Sequence, residues 1–255
     1  MVFKNKFLSL SLAALAGIVF PTCECGIIPI VKRLIKKGVP LNLAVTYMLA
    51  APLINPVVIF STFLAFQNTL EVVFERSILG FIIAVLTGYL VSFLRTEGIL
   101  KSNPFFSDLD QLKALPYSVP LTLKLKDTLV HAATDFFDLG KYLIIGSLVA
   151  AVSQTFLSRQ MLLTIGDNLA PSILVMMVLA VILSLCSEVD AFIASTFIHF
   201  PLASKLAFLV LGPMLDLKLL LLFLGIFKKR FIFFLVAWIC GLVFLLTLIL
   251  GKLIG

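Results

Sequence analysis

Three cysteines stand near helix-breaking residues in an otherwise apolar chain. Cys23 and Cys25 form a Cys-x-Cys pair just before two predicted helix breaks, Gly26 and Pro29, and Cys186 follows much later. Thiolates are soft ligands that bind thiophilic metals and metalloids. Two or three sulfurs converging on one centre would hold such a species reversibly. The alternatives are a redox pair, or small residues that simply pack at a helix break.

Carboxylates accompany these cysteines. Glu24 lies between the two cysteines of the pair, and Glu188 and Asp190 follow the third cysteine. An ionisable group at the centre of a bilayer costs at least about 2.5–3.5 kcal/mol, so each is a candidate for function. Proton coupling is a natural use, because burial disfavours the charged form. The alternative is that Glu188 and Asp190 are solvated at the cytoplasmic interface.

The surroundings of the cysteines recur 161 positions later without a gap. The identical pairs are Cys25/Cys186, Pro40/Pro201, Leu41/Leu202 and Pro52/Pro213. Asn55 and Asp216 also correspond, each three residues after a proline, and Pro52, Pro56 and Pro213 are further predicted helix breaks. The two polar side chains could satisfy backbone groups that proline leaves unpaired, or bind substrate. Paired, proline-broken segments in two halves indicate a transport site.

The composition indicates an integral membrane protein. Hydrophobic residues make up 61% of the chain and charged residues 13%, against roughly 45–50% and about 25% in soluble domains. The net charge of +7 fits cytoplasmic loops, and no basic stripe with interleaved aromatics predicts a nucleic-acid partner. We expect an all-α polytopic protein of the cell inner membrane, surrounded by lipid bilayer, without a cofactor.

Seven segments are long or apolar enough to enter a bilayer, where a full crossing takes about 20 residues. They are 7–22, 42–66, 77–94, 136–157, 171–186, 203–227 and 231–250. The stretches 26–37 and 188–200 are shorter and are predicted to be half-helices or re-entrant pieces. The N-terminus resembles a signal peptide in charge and length. We expect it to be retained as a helix, because no small-residue cleavage site follows.

The basic residues then predict the topology. Placing most lysines and arginines in the cytoplasm makes 42–66 and 203–227 antiparallel, so the two repeats are expected to be inverted. The predicted organisation is a first membrane repeat at 1–94, a cytoplasmic linker at 95–130 and a second membrane repeat at 131–255.

Four motifs resemble the ArsP-type predicted permease family, which includes YraQ-like proteins. They are residues 21–29 (PTCECGIIP), 51–56 (APLINP), 186–192 (CSEVDAF) and 212–218 (GPMLDLK). The resemblance covers most of the chain and implies a polytopic inner-membrane permease. Characterised members export trivalent methylated arsenicals, and members usually carry further hydrophobic segments at the N-terminus.

Together these features predict a secondary transporter, not an enzyme, that exports a small thiophilic solute such as a trivalent organoarsenical by alternating access. Cys23, Cys25 and Cys186, with Asn55 and Asp216, are the expected substrate contacts. No resident metal is assigned. Proton coupling, a homo-oligomer and a partner subunit are left open. One rival is a membrane thiol–disulfide oxidoreductase using the Cys-x-Cys pair, and another is a non-transporting subunit of a larger assembly.

Overall fold

The computed structural model describes residues 6–94, 144, 148 and 168–254. Within these residues the regular elements are ten α-helices. The first five are α1 (Lys6–Val19), α2 (Glu24–Lys36), α3 (Leu41–Ala50), α4 (Pro56–Ala65) and α5 (Leu70–Val91). The second five are α6 (Leu169–Leu183), α7 (Asp190–Thr196), α8 (Leu202–Met214), α9 (Leu217–Ile226) and α10 (Lys229–Ile254). The predicted linker 95–130 and nearly all of segment 136–157 lie outside the described residues.

Each of the two long apolar segments that follow the cysteines is divided in two. Segment 42–66 forms α3 and α4, separated by a turn that contains Pro52, and Pro56 is the first residue of α4. Segment 203–227 forms α8 and α9, and Pro213 lies one residue before the end of α8. Proline lacks an N–H and restricts the residue before it, so a helix tends to end or begin there.

The break expected at Gly26 and Pro29 lies earlier in the chain, at residues 20–23, and α2 continues through both positions. Gly26 falls in the first turn of α2, its N–H donates to the Cys23 carbonyl, and a single glycine disfavours a helix by only about 1 kcal/mol. Pro29 removes a single hydrogen bond close to the helix start. Neither residue is therefore placed where it would end α2.

The helix predicted to start at residue 77 starts at Leu70. Residues 70–76, which the predicted segments 42–66 and 77–94 leave between them, form its first two turns, and Arg76 is among them. Arg76 is 1% exposed. Its charge is compatible with this burial because a carboxylate from another helix neutralises it, as described below.

The helix boundaries repeat with the spacing found in the sequence. Helix α4 and helix α9 have the same length, and each of their ends is displaced by 161 positions; α3 and α8 start with this displacement as well. Contacts repeat too: α1, α3 and α5 pack against one another, as do α6, α8 and α10. Between the halves, α4 contacts α7 while α9 contacts α2. Such reciprocal contacts are the pattern that a two-fold axis generates.

The helices differ in how they are buried. Nearly every residue of α3 and α8 is buried, and these two helices contact each other at the centre of the molecule. In the part of the chain that the structure describes, two runs are long and apolar enough to cross a membrane, Leu202–Leu224 within the core and Lys229–Leu253 along its outside. Large apolar side chains are exposed on α1, α5 and α10. An exposed apolar surface of this kind fits contact with lipid.

Helix α1 packs closely against the break between α3 and α4. A Cβ atom added to Gly17 would lie 2.6 Å from the backbone Cα of Ala51. Only glycine lets the two backbones approach this closely.

We therefore expect Gly17→Ala to lower the stability of the protein by about 1–3 kcal/mol, the usual effect of overpacking. Gly241→Ala is the matched control, because a Cβ at Gly241 in α10 meets nothing within 4 Å, and alanine favours a helix by about 1 kcal/mol over glycine. Thermal unfolding in detergent would measure both. Equal melting temperatures for the two variants would contradict the close approach.

Candidate functional site

Residues from both repeats meet where the chain breaks after α1 and after α6. Glu24 begins α2, and its Oε1 accepts a hydrogen bond from the backbone N–H of Ser187 at 2.8 Å. The thiol of Cys186 donates to Oε2 of Glu188 and lies 3.6 Å from Oε2 of Glu24. We call Glu24, Cys186 and Glu188 the acid–thiol cluster. It brings one predicted sulfur and two predicted carboxylates together across 162 positions of sequence.

The three residues of the acid–thiol cluster differ in their exposure to solvent. Glu24 is 3% exposed, whereas Cys186 and Glu188 are partly buried. A buried carboxylate needs hydrogen-bond donors to remain in place, and the Ser187 N–H supplies one to Glu24. The cluster therefore holds the Cys186 thiol in hydrogen-bond contact with Glu188 and close to the buried carboxylate of Glu24.

A buried ion pair lies beside the cluster. Asp190, the first residue of α7, accepts hydrogen bonds from a terminal nitrogen of Arg76 at 3.0 and 2.9 Å to its two oxygens. The same nitrogen donates to the Ser187 carbonyl at 3.2 Å, and the other donates to Thr62 at 2.6 Å. Asp190 is 2% exposed, so the interpretation of this residue as a solvated interfacial group is wrong.

Sequence reasoning assigned no site role to Arg76 and overlooked Thr62. A signal was present: Val72 and Val73 extend the apolar pattern of segment 77–94 back past Arg76, and both are buried. An arginine within a largely apolar helix of 22 residues is itself a functional candidate.

Asn55 and Asp216 occupy equivalent positions in the two repeats and have the same structural role. Asn55 precedes α4, and its Oδ1 accepts from the N–H of Val57 at 3.0 Å. Asp216 precedes α9, and its Oδ1 accepts from the N–H of Leu219. Both side chains cap a helix that follows a proline break. Their proposed contact with substrate stays a prediction.

Asp216 has two further links. Its Oδ2 lies 3.8 Å from Nζ of Lys218, so these two side chains form an ion pair. The N–H of the next residue, Leu217, donates at 2.9 Å to Oγ of Ser184, a residue with φ of 46° at the end of α6. The break before α9 is thereby tied to the loop that carries Cys186.

We expect Asp216→Ala to lower stability by about 0.5–2 kcal/mol through loss of the cap, with Asp216→Ser much closer to wild type, since serine also caps. Thermal unfolding of the purified protein measures this difference. Transport by the same variants separates the two roles of Asp216. If Asp216→Ser unfolds like wild type but has lost uptake, the carboxylate acts on substrate as well as on the helix.

The two cysteines of the Cys-x-Cys pair are described to different extents. Cys23 is exposed and precedes α2. The side chains of Cys25 and Pro29 lie outside the described part of the structure. Convergence of Cys25 with Cys186 therefore stays a prediction. Among the described side chains, no group of three or more His, Cys, Asp or Glu could hold a metal ion.

An apolar cavity adjoins the start of this segment. It has a volume of about 670 Å³ and lies between α1, α2 and α3. Phe20, Pro21 and Thr22, the three residues before Cys23, line one part of it, and Tyr47 lines another. A volume of this size falls in the range of small-molecule sites.

Comparisons with known proteins point in one direction. Residues 1–252 match the family model ArsP_1, described as "Predicted permease". The chain is 49% identical over 241 residues to UPF0718 protein YcgR of Bacillus subtilis, covering 94% of this chain and 80% of that one. It is 40% identical over 252 residues to a "Putative two-component membrane permease complex subunit" of Streptococcus mutans, covering 97% and 81%. No solved structure matches it.

Proposed function

Because the chain belongs to the ArsP_1 family of predicted permeases, we propose that it is a multi-pass transporter of the cell inner membrane that exports a small thiophilic solute. The family indicates a membrane permease, and thus a transporter rather than an enzyme. The observation that carries the finer proposal is the acid–thiol cluster, in which a cysteine of one repeat meets a carboxylate of the other.

The fold supports alternating access between two inverted repeats. Two contacts between the halves are reciprocal, α4 on α7 and α9 on α2, and both halves contain a helix pair broken at a proline. We place the axis that relates them in the membrane plane, so that 1–94 and 131–255 are inverted repeats joined by the cytoplasmic linker 95–130. Rocking one repeat against the other would expose the cluster to each side in turn.

The substrate class follows from the chemistry around Cys186. Sulfur favours a soft centre such as trivalent arsenic. The apolar cavity before Cys23 suits the organic substituent of an organometalloid. These features together favour a trivalent organoarsenical or a related soft metalloid species.

Binding requires a proton to leave the thiol. When sulfur bonds to a hydroxo-arsenical, the arsenic–hydroxide bond breaks. The thiol proton passes through Glu188, to which it is hydrogen-bonded, and joins the hydroxide, which departs as water. Release reverses these steps, so no oxidant or reductant is consumed.

The carboxylates divide into two roles in this proposal. Arg76 neutralises Asp190, so Asp190 acts as a structural counter-ion and not as a proton carrier. Glu24 is buried against a backbone N–H and a thiol. Because Arg76 pairs with Asp190 and not with Glu24, we assign to Glu24 the coupling of transport to the proton gradient.

Uptake into everted vesicles tests the function. Vesicles with the protein should accumulate methylarsenite when their lumen is acidified, and a protonophore should abolish the accumulation. Cadmium ion, a thiophilic species without an organic group, should accumulate less. If vesicles with and without the protein take up both probes equally, the proposed substrate class is wrong.

A partner subunit is the second element of the proposal. The Streptococcus mutans relative is named as a subunit of a two-component membrane permease complex, and we infer a similar assembly for this chain. The protein purified from its native membrane in a mild detergent should carry a second membrane protein in fixed stoichiometry. Transport by the chain alone in liposomes would instead show that the partner is dispensable.

A further inference from the structure

We propose that Arg76 is a positioning residue that clamps the loop at 186–190 against the first repeat and thereby limits the access of reagents to the Cys186 thiol. The proposal rests on the proposed function only in that Cys186 is taken as a substrate ligand. Its test reads the thiol directly and needs no transport.

The guanidinium of Arg76 joins three parts of the molecule. One terminal nitrogen reaches Thr62 on α4, and the other reaches both Asp190 on α7 and the Ser187 carbonyl. Arginine presents its donors in a rigid planar fork, whereas lysine offers a single point charge. The contacts to Thr62, Asp190 and Ser187 therefore require the guanidinium group of arginine. A lysine would neutralise Asp190 without making all of them.

The peptide units on either side of Ser187 are held at two points by the first repeat. Its N–H donates to Glu24 at the start of α2, and its carbonyl accepts from Arg76 in α5. Ser187 separates Cys186 from Glu188 in the chain. Holding the backbone at Ser187 from both sides fixes the positions from which these two side chains project.

The clamp has no counterpart in the other half of the molecule. The position equivalent to Arg76 is Ala237, and the one equivalent to Asp190 is Pro29. Cys23, whose equivalent position in the second half is Ser184, is exposed, whereas Cys186 is partly buried. Cys23 therefore supplies an internal reference, because the Arg76 guanidinium donates its hydrogen bonds to Thr62 and to the loop at 186–190 and not to the residue before α2.

The experiment measures alkylation by N-ethylmaleimide in protein that keeps a single cysteine. Cys186 alone or Cys23 alone remains, with the other cysteines replaced by serine. The double variant Arg76→Met with Asp190→Asn removes the clamp without leaving an unpaired buried charge. Arg76→Lys is a second variant that keeps the charge and loses the fork.

We expect the double variant to alkylate Cys186 at least about tenfold faster than the parent, since loops held by few contacts open at low free energy. Arg76→Lys should fall between the two. The rate at Cys23 should remain unchanged in both variants. An unchanged rate at Cys186 would overturn the proposal. A parallel increase in the alkylation rate of Cys23 would also overturn it, because that result would mean that the whole protein has become less rigid. If the wild-type protein does not transport methylarsenite, that result counts against the proposed function alone and leaves the role of Arg76 unaffected.

Discussion

Replacing Cys186 with serine should reduce methylarsenite uptake into everted vesicles to less than about one tenth of wild type, in line with the 10- to 100-fold losses seen when the surroundings of a bound metal are altered. Serine has nearly the same shape, so the loop at 186–190 keeps its contacts with Glu24 and Arg76. Its hydroxyl is a hard ligand that binds arsenic weakly compared with sulfur. The loss should therefore be chemical in origin, with unchanged protein levels and melting temperature.

The matched control is Cys240→Ser. Cys240 is also partly buried, but it lies in α10 among apolar neighbours of the core. Uptake by this variant should equal that of wild type. If Cys186→Ser transports methylarsenite with unchanged rate and KM, sulfur is not a ligand for this substrate. An equal loss in both cysteine variants would indicate damage to packing rather than to the site.

The repeat in the sequence predicted much of the architecture. Proline acts on its own backbone and on the adjacent residue, so a proline pattern reports helix breaks without knowledge of the fold. Pro52 and Pro213 accordingly mark the divided helices. A short polar residue after such a break favours a helix cap for the same local reason. Asn55 and Asp216 are found in that role.

Arg76 shows where sequence reasoning fails. Its sequence neighbours are two glutamates and an apolar run, and the segments predicted from hydropathy, 42–66 and 77–94, both exclude it. Its partner, Asp190, is 114 positions away, and a contact at that distance leaves no periodic pattern in one sequence. The burial of the pair follows from tertiary packing of α5 against the second half. Local hydropathy does not contain that information.

The acid–thiol cluster could be predicted from the sequence only in part. Treating the repeats as inverted predicted that Cys186 lies near the first Cys-x-Cys segment, and its thiol is found 3.6 Å from Glu24 in the middle of that segment. The contact of this thiol with the Glu24 carboxylate could not be predicted. Which side chain points inward depends on the rotation of α2, and that is set by its packing on α3 and α9.

The second large effect is expected for Glu24→Gln. The glutamine carbonyl can still accept the hydrogen bond from Ser187 N–H, which Glu24 accepts at 2.8 Å, so the loop at 186–190 remains in place. The amide cannot take up a proton at neutral pH. Substrate binding and the movement between the two access states should therefore continue, while their link to the proton gradient should be lost.

Two assays separate these steps for Glu24→Gln. Uptake driven by an acidified lumen should fall at least about tenfold, since groups that transfer protons typically contribute roughly 10²–10⁴-fold. Counterflow of labelled against unlabelled methylarsenite, measured with a protonophore present, should remain near wild type because it needs no net proton movement. Glu71→Gln, at an exposed position of α5, should leave both assays unchanged. If Glu24→Gln takes up methylarsenite at the wild-type rate when the lumen is acidified, the coupling residue is instead Glu188, the other carboxylate that contacts the thiol.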